Sequence, residues 1–383
     1  MTKKKYRPGK KVRMKTITEK VIVFGLVLCC VIVLGFSAYM ILKSVGKNSL
    51  KKHADMVVNQ ELTTDLNDES QWVEEPLELE EGQILAEGEI YEYNKDIMTF
   101  LCMGIDSKNG IEKEKIPGKA GQADALLMIV INPRKEEIHV IAINRDSMAE
   151  IEVYDTAGMF LEEKKMQITL QYAYGDGREK SCQLMEQAVS ELFYGIPIHG
   201  YGALDMQSIA TLNDAVGGVE VTVLEDLTKH RRKWSEGARV LLKGEDALIY
   251  IRERDSASKE LGTNLKRVER QKQYLTAYVG KMKEKIKEDI TFPVTLLGKI
   301  KKHMVTSLTV QEITYLADTL LGYEFCVDNI ISIPGESKMG EKHEEFYIDD
   351  TALKQIIIDV FYDKVEKKEP EMESAGFEEE TYR

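Results

Sequence analysis

Cysteine is sparse, five in 383 residues, and two of the five, Cys29 and Cys30, lie inside an apolar run. The remaining Cys102, Cys182 and Cys326 cannot pair completely and lack the spacing of a disulfide framework or a zinc site. Cys102 sits in an apolar stretch, where a buried thiol is the expected state. The six histidines are scattered, with no HExxH and no His/Cys cluster, so no structural zinc is expected. Basic charge is also missing where nucleic acid would need it. Beyond residue 20 the chain carries 43 Lys and Arg against 64 Asp and Glu. Such a body has no general basic face with which to displace counterions from phosphates, which argues against a nucleic-acid binder. From His53 to Asn94 there is no Lys or Arg at all. That stretch reads as a solvated, self-repelling stalk, and no EF-hand-like spacing supports a calcium site in it.

What is present begins with a basic head. Residues 1–20 hold nine Lys and Arg and one acid, Glu19, and are followed by 22 uncharged residues, Val21 to Leu42. At about 1.5 Å per residue that run is roughly 33 Å long, enough for a bilayer core and longer than the apolar part of a cleaved signal. The head should stay cytosolic, which makes the chain a single-pass cell-membrane protein with its bulk outside. Hydrophobic residues make up 43% of the chain, so the exported part can build at least one sizeable core.

Strand-like runs follow in quick succession at Met98–Ile105, Ala125–Ile131 and Ile138–Ile143, the last two separated by an Asn132-Pro133 break that predicts a turn between neighbours. Helical spacing appears over Ser181–Phe193, Met206–Val216, Gly244–Ile251 and Arg267–Lys287, with Val219–Val223 as a strand after Gly217-Gly218. Further on, Leu308–Leu321 is helical with Thr309 as cap and Glu312 three residues later, Cys326–Ile333 is strand-like, and Asp350–Phe361 is helical. Strands first and interspersed helices later predict an α/β fold or an α-β-α sandwich.

Carboxylates and arginines collect at the ends of these elements. Asp106 ends the first strand, Asp124 opens the second, and Arg145-Asp146 ends the third. Arg252 and Arg254 follow an apolar helix, and Arg267, Arg270 and Gln271 lie one turn apart on the next. Singly, each reads as a turn residue or a surface partner. Together, several guanidinium forks beside two carboxylates suit a metal–pyrophosphate ligand.

The ordered segments LCMGIDS, QADALLMIVINP, IHVIAINRDS, QITLQYAYGDG, DAVGGVEVTV, GEDALIYIRERD and LKRVERQ resemble the LytR–CpsA–Psr (LCP) family from about Ile97 to Lys285. The resemblance implies an α-β-α sandwich with a hydrophobic lipid pocket, preceded by one transmembrane helix. It divides the chain into a cytoplasmic segment 1–20, a transmembrane helix 21–42, an acidic stalk 43–96, a catalytic domain 97–288, an α/β extension 289–363 and a charged tail 364–383. The implied activity is a phosphotransferase of Gram-positive-type bacteria, moving a glycopolymer such as teichoic acid or capsule from a polyprenyl-diphosphate carrier to peptidoglycan. By motif position, Asp106 and Asp124 would hold Mg²⁺, and Arg145, Arg252, Arg254, Arg267 and Gln271 would bind the diphosphate. Asp146 is a candidate proton acceptor. The helix Met206–Val216 and the strands Ala125–Ile131 and Val219–Val223 are the candidate lining of the lipid pocket.

The match has departures. Gln122 stands where the family usually has Arg, Asn144 where it has proline, Asn264 where it has an acid, and Lys266 where it has glycine. A chain weakened at these positions would instead bind polyprenyl-linked glycan, regulate the envelope, or merely hydrolyse polyprenyl diphosphate. Which polymer and acceptor are used is not written in the sequence.

Overall fold

The structure, a computed structural model, describes residues 39–50, 79–107, 110–253, 265–341 and 343–365. The basic head, all but the last four residues of the apolar run, Arg254 and Asn264 lie outside the described residues. Among the described residues no helix is long and apolar enough to cross a membrane.

Six strands form the central sheet: β3 (Met98–Ile105), β4 (Ala123–Asn132), β5 (Glu137–Ile143), β8 (Gly200–Asp205), β11 (Met304–Thr306) and β12 (Ile330–Ser332). The smaller pairings use β1 (Gln83–Ala86), β2 (Glu89–Tyr93), β6 (Met148–Tyr154), β7 (Phe160–Gln167), β9 (Val219–Thr222), β10 (Arg239–Leu242), β13 (Gly335–Met339), β14 (Glu344–Ile348) and β15 (Tyr362–Lys364). The helices are α1 (residues 39–50), α2 (Glu179–Leu192), α3 (Met206–Ala215), α4 (Glu245–Arg252), α5 (Leu265–Glu288), α6 (Phe292–Ile300), α7 (Val310–Leu320) and α8 (Asp350–Phe361).

The sheet order is β11-β8-β3-β4-β5-β12. β3, β4 and β5 form an antiparallel meander through the Asn132-Pro133 turn, as their spacing predicts, while β8 joins β3 in parallel. Period-2 alternation divides the apolar side chains between two faces. Leu101, Met103, Leu126, Met128 and Ile141 pack on one face with Met185 and Val189 of α2 and Leu353 and Ile357 of α8. Met98, Phe100, Ile131 and Ile138 occupy the far end of the other face, under Leu50 of α1 and Tyr315 and Leu316 of α7. Helices therefore cover both sides, the layering an α-β-α sandwich requires. A second cluster, with Val219, Val221, Trp234, Leu242, Tyr250 and Tyr274, forms the core of a helical layer built from α3, α4, α5 and the β9–β10 ribbon.

Some sequence-based expectations change here. Part of the stretch read as a stalk is folded: β1 and β2 form a hairpin, and β2 also pairs with β15 near the other end of the described chain. Its acidic side chains hid the alternation, because only Ile84, Ala86 and Tyr93 turn fully inward. The segment 289–363 is not an appendage to a finished sheet, since β11 and β12 supply both sheet edges. Strand character in Cys326–Ile333 is confined to Ile330–Ser332, after a 3₁₀ turn over Val327–Asn329. The β6–β7 hairpin went unseen because FLEEKKMQ is exposed along most of its length.

Helix α1 is docked by shape more than by charge. Asp318 accepts from the Tyr39 hydroxyl (2.7 Å) and pairs with Lys43, which holds its carboxyl below the usual range. These groups are about a third exposed, so the pair is screened and adds little. Gly46 is where the helix meets α7 most closely, and any Cβ there would strike the Gln311 carbonyl. Gly46→Val is expected to lift α1 from the body and lower stability by about 1–3 kcal/mol, the usual cost of overpacking. Thermal unfolding of the full chain, with protease sensitivity near Leu50, checks this.

Candidate functional site

β3 and β8 end, and β4 begins, at one edge of the sheet. Because β5 runs antiparallel to β4, its C-terminus reaches the same edge. This topology brings four predicted residues from three segments to one edge. Asp106 follows Ile105, which is in register with Ala123, and the Asp106 N–H donates to the Gln122 carbonyl (3.1 Å). Asp124 is the next residue of β4. Arg145 Nη1 donates to Asp124 Oδ1 at 2.6 Å, and its Nε lies 3.6 Å from Asp146 Oδ1. Partial burial alone would lower the Arg145 guanidinium, but the Asp124 and Asp146 carboxylates outweigh it and hold it above its ordinary value.

Local chemistry explains how Arg145 is presented. Asn144 Oδ1 accepts from the Asp146 N–H (3.0 Å) and its carbonyl from the Ser147 N–H (3.0 Å), so an Asx turn shapes the bend. The Thr169 N–H donates to the Arg145 carbonyl (3.1 Å), while the Thr169 hydroxyl donates to the Ala123 carbonyl (2.9 Å). One buried threonine thus ties the Arg145 turn to the start of β4. Asp146 is also engaged: Oδ1 accepts from Gln167 Nε2 at 3.1 Å, and its carbonyl accepts from the Phe346 N–H at 2.9 Å.

Of the other predicted residues, Arg252, Arg267 and Gln271 stand on the helical layer, and Arg254 lies outside the described residues. Arg252 is the last residue of α4 and is exposed, and Gln271 Nε2 of α5 donates to the Ile251 carbonyl beside it (3.1 Å). Arg267 is half-buried on α5, one turn before Gln271. Arg270 is a structural residue that sequence reasoning could not separate from its neighbours. It is 1% exposed, donates from Nε to the Tyr250 carbonyl (2.9 Å), and also engages the Glu253 carbonyl and the Glu225 carboxylate. It therefore fixes the C-terminal end of α4, where Arg252 sits. The layer hangs from the same sheet edge, because α3 begins directly after β8 with Asp205 as its N-cap.

Next to this edge the second face of the sheet is incompletely covered. Gly202, Cys102, Leu127 and Ala142 form one row across β8, β3, β4 and β5, and Leu204, Gly104 and Ala125 form the row nearer Asp124. Ala125 is exposed and the other six are half-buried, in contrast to the sealed far end. A Cβ placed on Gly202 would meet nothing within 4 Å. The result is an apolar floor of mostly small residues leading to the Asp106–Asp124–Arg145 edge. Of the expected pocket lining, β4 contributes to this floor. Val219, Val221 and Val223 instead close on Trp234 and Tyr250 in the helical core, because β9 pairs only with β10.

Among the described residues a metal at this edge would have two carboxylates, Asp106 and Asp124. Among the described residues no group of three His, Cys, Asp or Glu is gathered closely enough to form a cage. The Asp106 carboxylate has no protein partner among the described residues. A pair of carboxylates suits Mg²⁺, which keeps waters and substrate phosphates in its shell, better than Zn²⁺ or Ca²⁺.

The fold and site define a layered α/β protein with an acidic–basic cluster at the end of an apolar floor. The profile of the LytR_cpsA_psr family matches residues 54–359, and the chain belongs to that family. Among similar proteins, the TagU polyisoprenyl-teichoic acid–peptidoglycan teichoic acid transferase of Halalkalibacterium halodurans is 30% identical over 186 residues, covering 48% of this chain and 53% of its own. The corresponding TagV of Bacillus subtilis is 24% identical over 271 residues, 69% of this chain and 63% of its own. The chain thus spans about half to two thirds of the length of these two relatives. The crystal structure of B. subtilis TagV superposes with a TM-score of 0.52 at 23% identity, covering 69% of this chain and 96% of that one. TagT bound to LIIa-WTA does so at 0.52 and 19%, covering 69% and 89%. At that identity the likeness establishes the shared fold.

Proposed function

We propose that this chain is a membrane-anchored, extracytoplasmic phosphotransferase that moves a glycopolymer from a polyprenyl-diphosphate carrier to peptidoglycan. One observation supports the reading: the apolar floor ends at Asp124 and Arg145, an arrangement that suits a lipid tail lying beside its diphosphate. The relatives' names make teichoic acid the first polymer to test. The apolar run Val21–Leu42 and the basic head before it support an anchor with the body outside.

Transfer of this kind asks the protein for positioning and charge neutralisation more than for covalent chemistry. Arg145 is oriented at the sheet edge and offers a planar fork to phosphate oxygens. Arg252, Arg267 and Gln271 would approach the same diphosphate from the helical layer, and Arg254, outside the described residues, is proposed for the same role by its motif position. Asp106 and Asp124 would hold Mg²⁺, which when bound neutralises diphosphate charge. Cys102 stays a thiol in the apolar floor, its pKa pushed up to about 11 by burial.

The test gives the purified full chain a polyprenyl-diphosphate-linked glycan, Mg²⁺ and peptidoglycan fragments, and follows glycan transfer together with lipid retention. Asp106→Ala and Arg252→Ala are each expected to abolish metal-dependent transfer. Release of glycan phosphate and polyprenyl monophosphate without transfer to peptidoglycan would make the chain a diphosphate hydrolase. Lipid retention without any turnover would make it a binding module.

A further inference from the structure

We propose that Gln167 is a positioning residue that fixes Asp146 and, through it, the plane in which Arg145 presents its guanidinium to the diphosphate. The inference rests on the diphosphate role of Arg145 in the transferase reading and adds the group that holds that arginine still.

Gln167 is the last residue of β7 and is half-buried. The β6–β7 ladder sets it opposite Met148, two residues after Asp146. Its Nε2 donates to Asp146 Oδ1 (3.1 Å) and to the Glu344 carbonyl (2.6 Å). Both partners can only accept, which assigns the nitrogen rather than the oxygen to that side of the amide. Its two N–H groups are thereby both used, one on the site and one on β14.

β14 is joined to the same turn by its main chain. The Phe346 N–H donates to the Asp146 carbonyl (2.9 Å), and Phe346 forms an isolated parallel bridge with Ser147. The Asp146 N–H is taken by Asn144 Oδ1 (3.0 Å). Asp146 is therefore held through its N–H, its carbonyl and its carboxylate at once. The β13–β14 hairpin, in the segment read from the sequence as an α/β extension, supplies two groups to this anchorage: the Phe346 N–H and the Glu344 carbonyl.

The consequence for Arg145 follows from the shape of its guanidinium, which is planar with donors at fixed angles. Nη1 donates to Asp124 Oδ1 at 2.6 Å, and Nε faces Asp146 Oδ1 at 3.6 Å. Nη2 makes no hydrogen bond to the protein among the described residues and is the donor left for phosphate oxygens. One carboxylate contact leaves such a group free to turn about it, whereas two contacts at different nitrogens define its plane. Without Gln167 the Asp146 carboxylate, 21% exposed, can rotate toward water, and Arg145 then keeps Asp124 alone. On this account Asp146 is an anchor rather than a proton acceptor, since its Oδ1 is already shared between Gln167 and Arg145.

The experiment uses the full chain in detergent, a short-chain polyprenyl-diphosphate-linked amino sugar, Mg²⁺ and peptidoglycan fragments, and measures transfer and donor affinity together. Gln167→Met keeps an unbranched side chain of similar length and removes both donors. It is expected to lower kcat/KM by about 10–10²-fold and to weaken donor binding, the scale on which a displaced binding group acts. In an Arg145→Ala background the same substitution should cost no more than about twofold further, because the residue it positions is gone. Damage to the fold alone would not depend on that background. Should Gln167→Met unfold at the assay temperature, Asp146→Asn tests the same link. It keeps an acceptor for Gln167 and removes the charge beside Nε, and its loss should likewise vanish without Arg145. Equal losses in the two backgrounds, or wild-type kcat/KM in Gln167→Met, would overturn the role of Gln167 and leave the transferase reading standing. A wild-type chain that binds the donor but transfers nothing would overturn that reading, while the same cycle in donor affinity still decides the inference. No donor binding by the wild-type chain would overturn both.

Discussion

Arg145→Ala is expected to reduce transfer by about 10²–10³-fold while the chain stays folded, the usual cost of deleting one preorganised charge donor. The reasoning starts from how tightly the guanidinium is placed. It is aimed by an Asx turn, tied by its carbonyl to Thr169, and flanked by Asp124 and Asp146. A substrate oxygen arriving here meets a donor that needs no reorganisation. The stability cost should be small, about 1 kcal/mol, because Arg145 is 34% exposed and Asp124 is 18% exposed, so water screens the orphaned carboxylate. Arg145→Lys separates charge from geometry. It keeps the charge but loses the fork, and an intermediate rate is expected. Transfer kinetics set beside thermal unfolding of the same variants check both halves, and equal rates for Ala and Lys would assign the effect to shape rather than charge.

What the sequence made legible follows from where its signals are local. Met98–Ile105 and Asp350–Phe361 have the boundaries that their apolar runs predict, and Thr309 with Glu312 forms the expected capping box. These features depend on residues a few positions apart. The cluster of Asp106, Asp124, Arg145 and Asp146 was legible for a different reason: each lies at a strand end, and an antiparallel meander returns strand ends to one edge. The hydrogen bond between Asp205 and His303 was not legible. Asp205 reads as an ordinary helix cap, and His303 lies 98 positions away in a basic turn, so only the β11–β8 pairing reveals the contact. The apolar floor was hidden as well. Cys102, Leu127 and Ala142 have the composition of core residues, and their partial exposure is a property of what fails to cover them.

Arg270→Ala should cost far more stability than Arg145→Ala. Unlike Arg145, Arg270 is almost wholly enclosed, and three groups depend on it: the Tyr250 carbonyl, the Glu253 carbonyl and the Glu225 carboxylate. Arg270→Ala would leave both carbonyls without this donor and Glu225, among the described residues, with only Lys266, 3.6 Å away and itself largely exposed. Removing one partner of a buried pair typically costs about 3–5 kcal/mol, because the charge left behind stays desolvated. Arg270→Met restores volume without a donor and should recover little of that loss. Adding Glu225→Gln to Arg270→Met removes the stranded charge and should recover more. Urea unfolding of the single and double variants measures the coupling. Strict additivity would mean that Arg270 acts through its carbonyl contacts and packing rather than through its pairing with Glu225. If Arg252 binds substrate as proposed, activity should fall in parallel, since the Tyr250 and Glu253 carbonyl contacts fix the end of α4 that carries it.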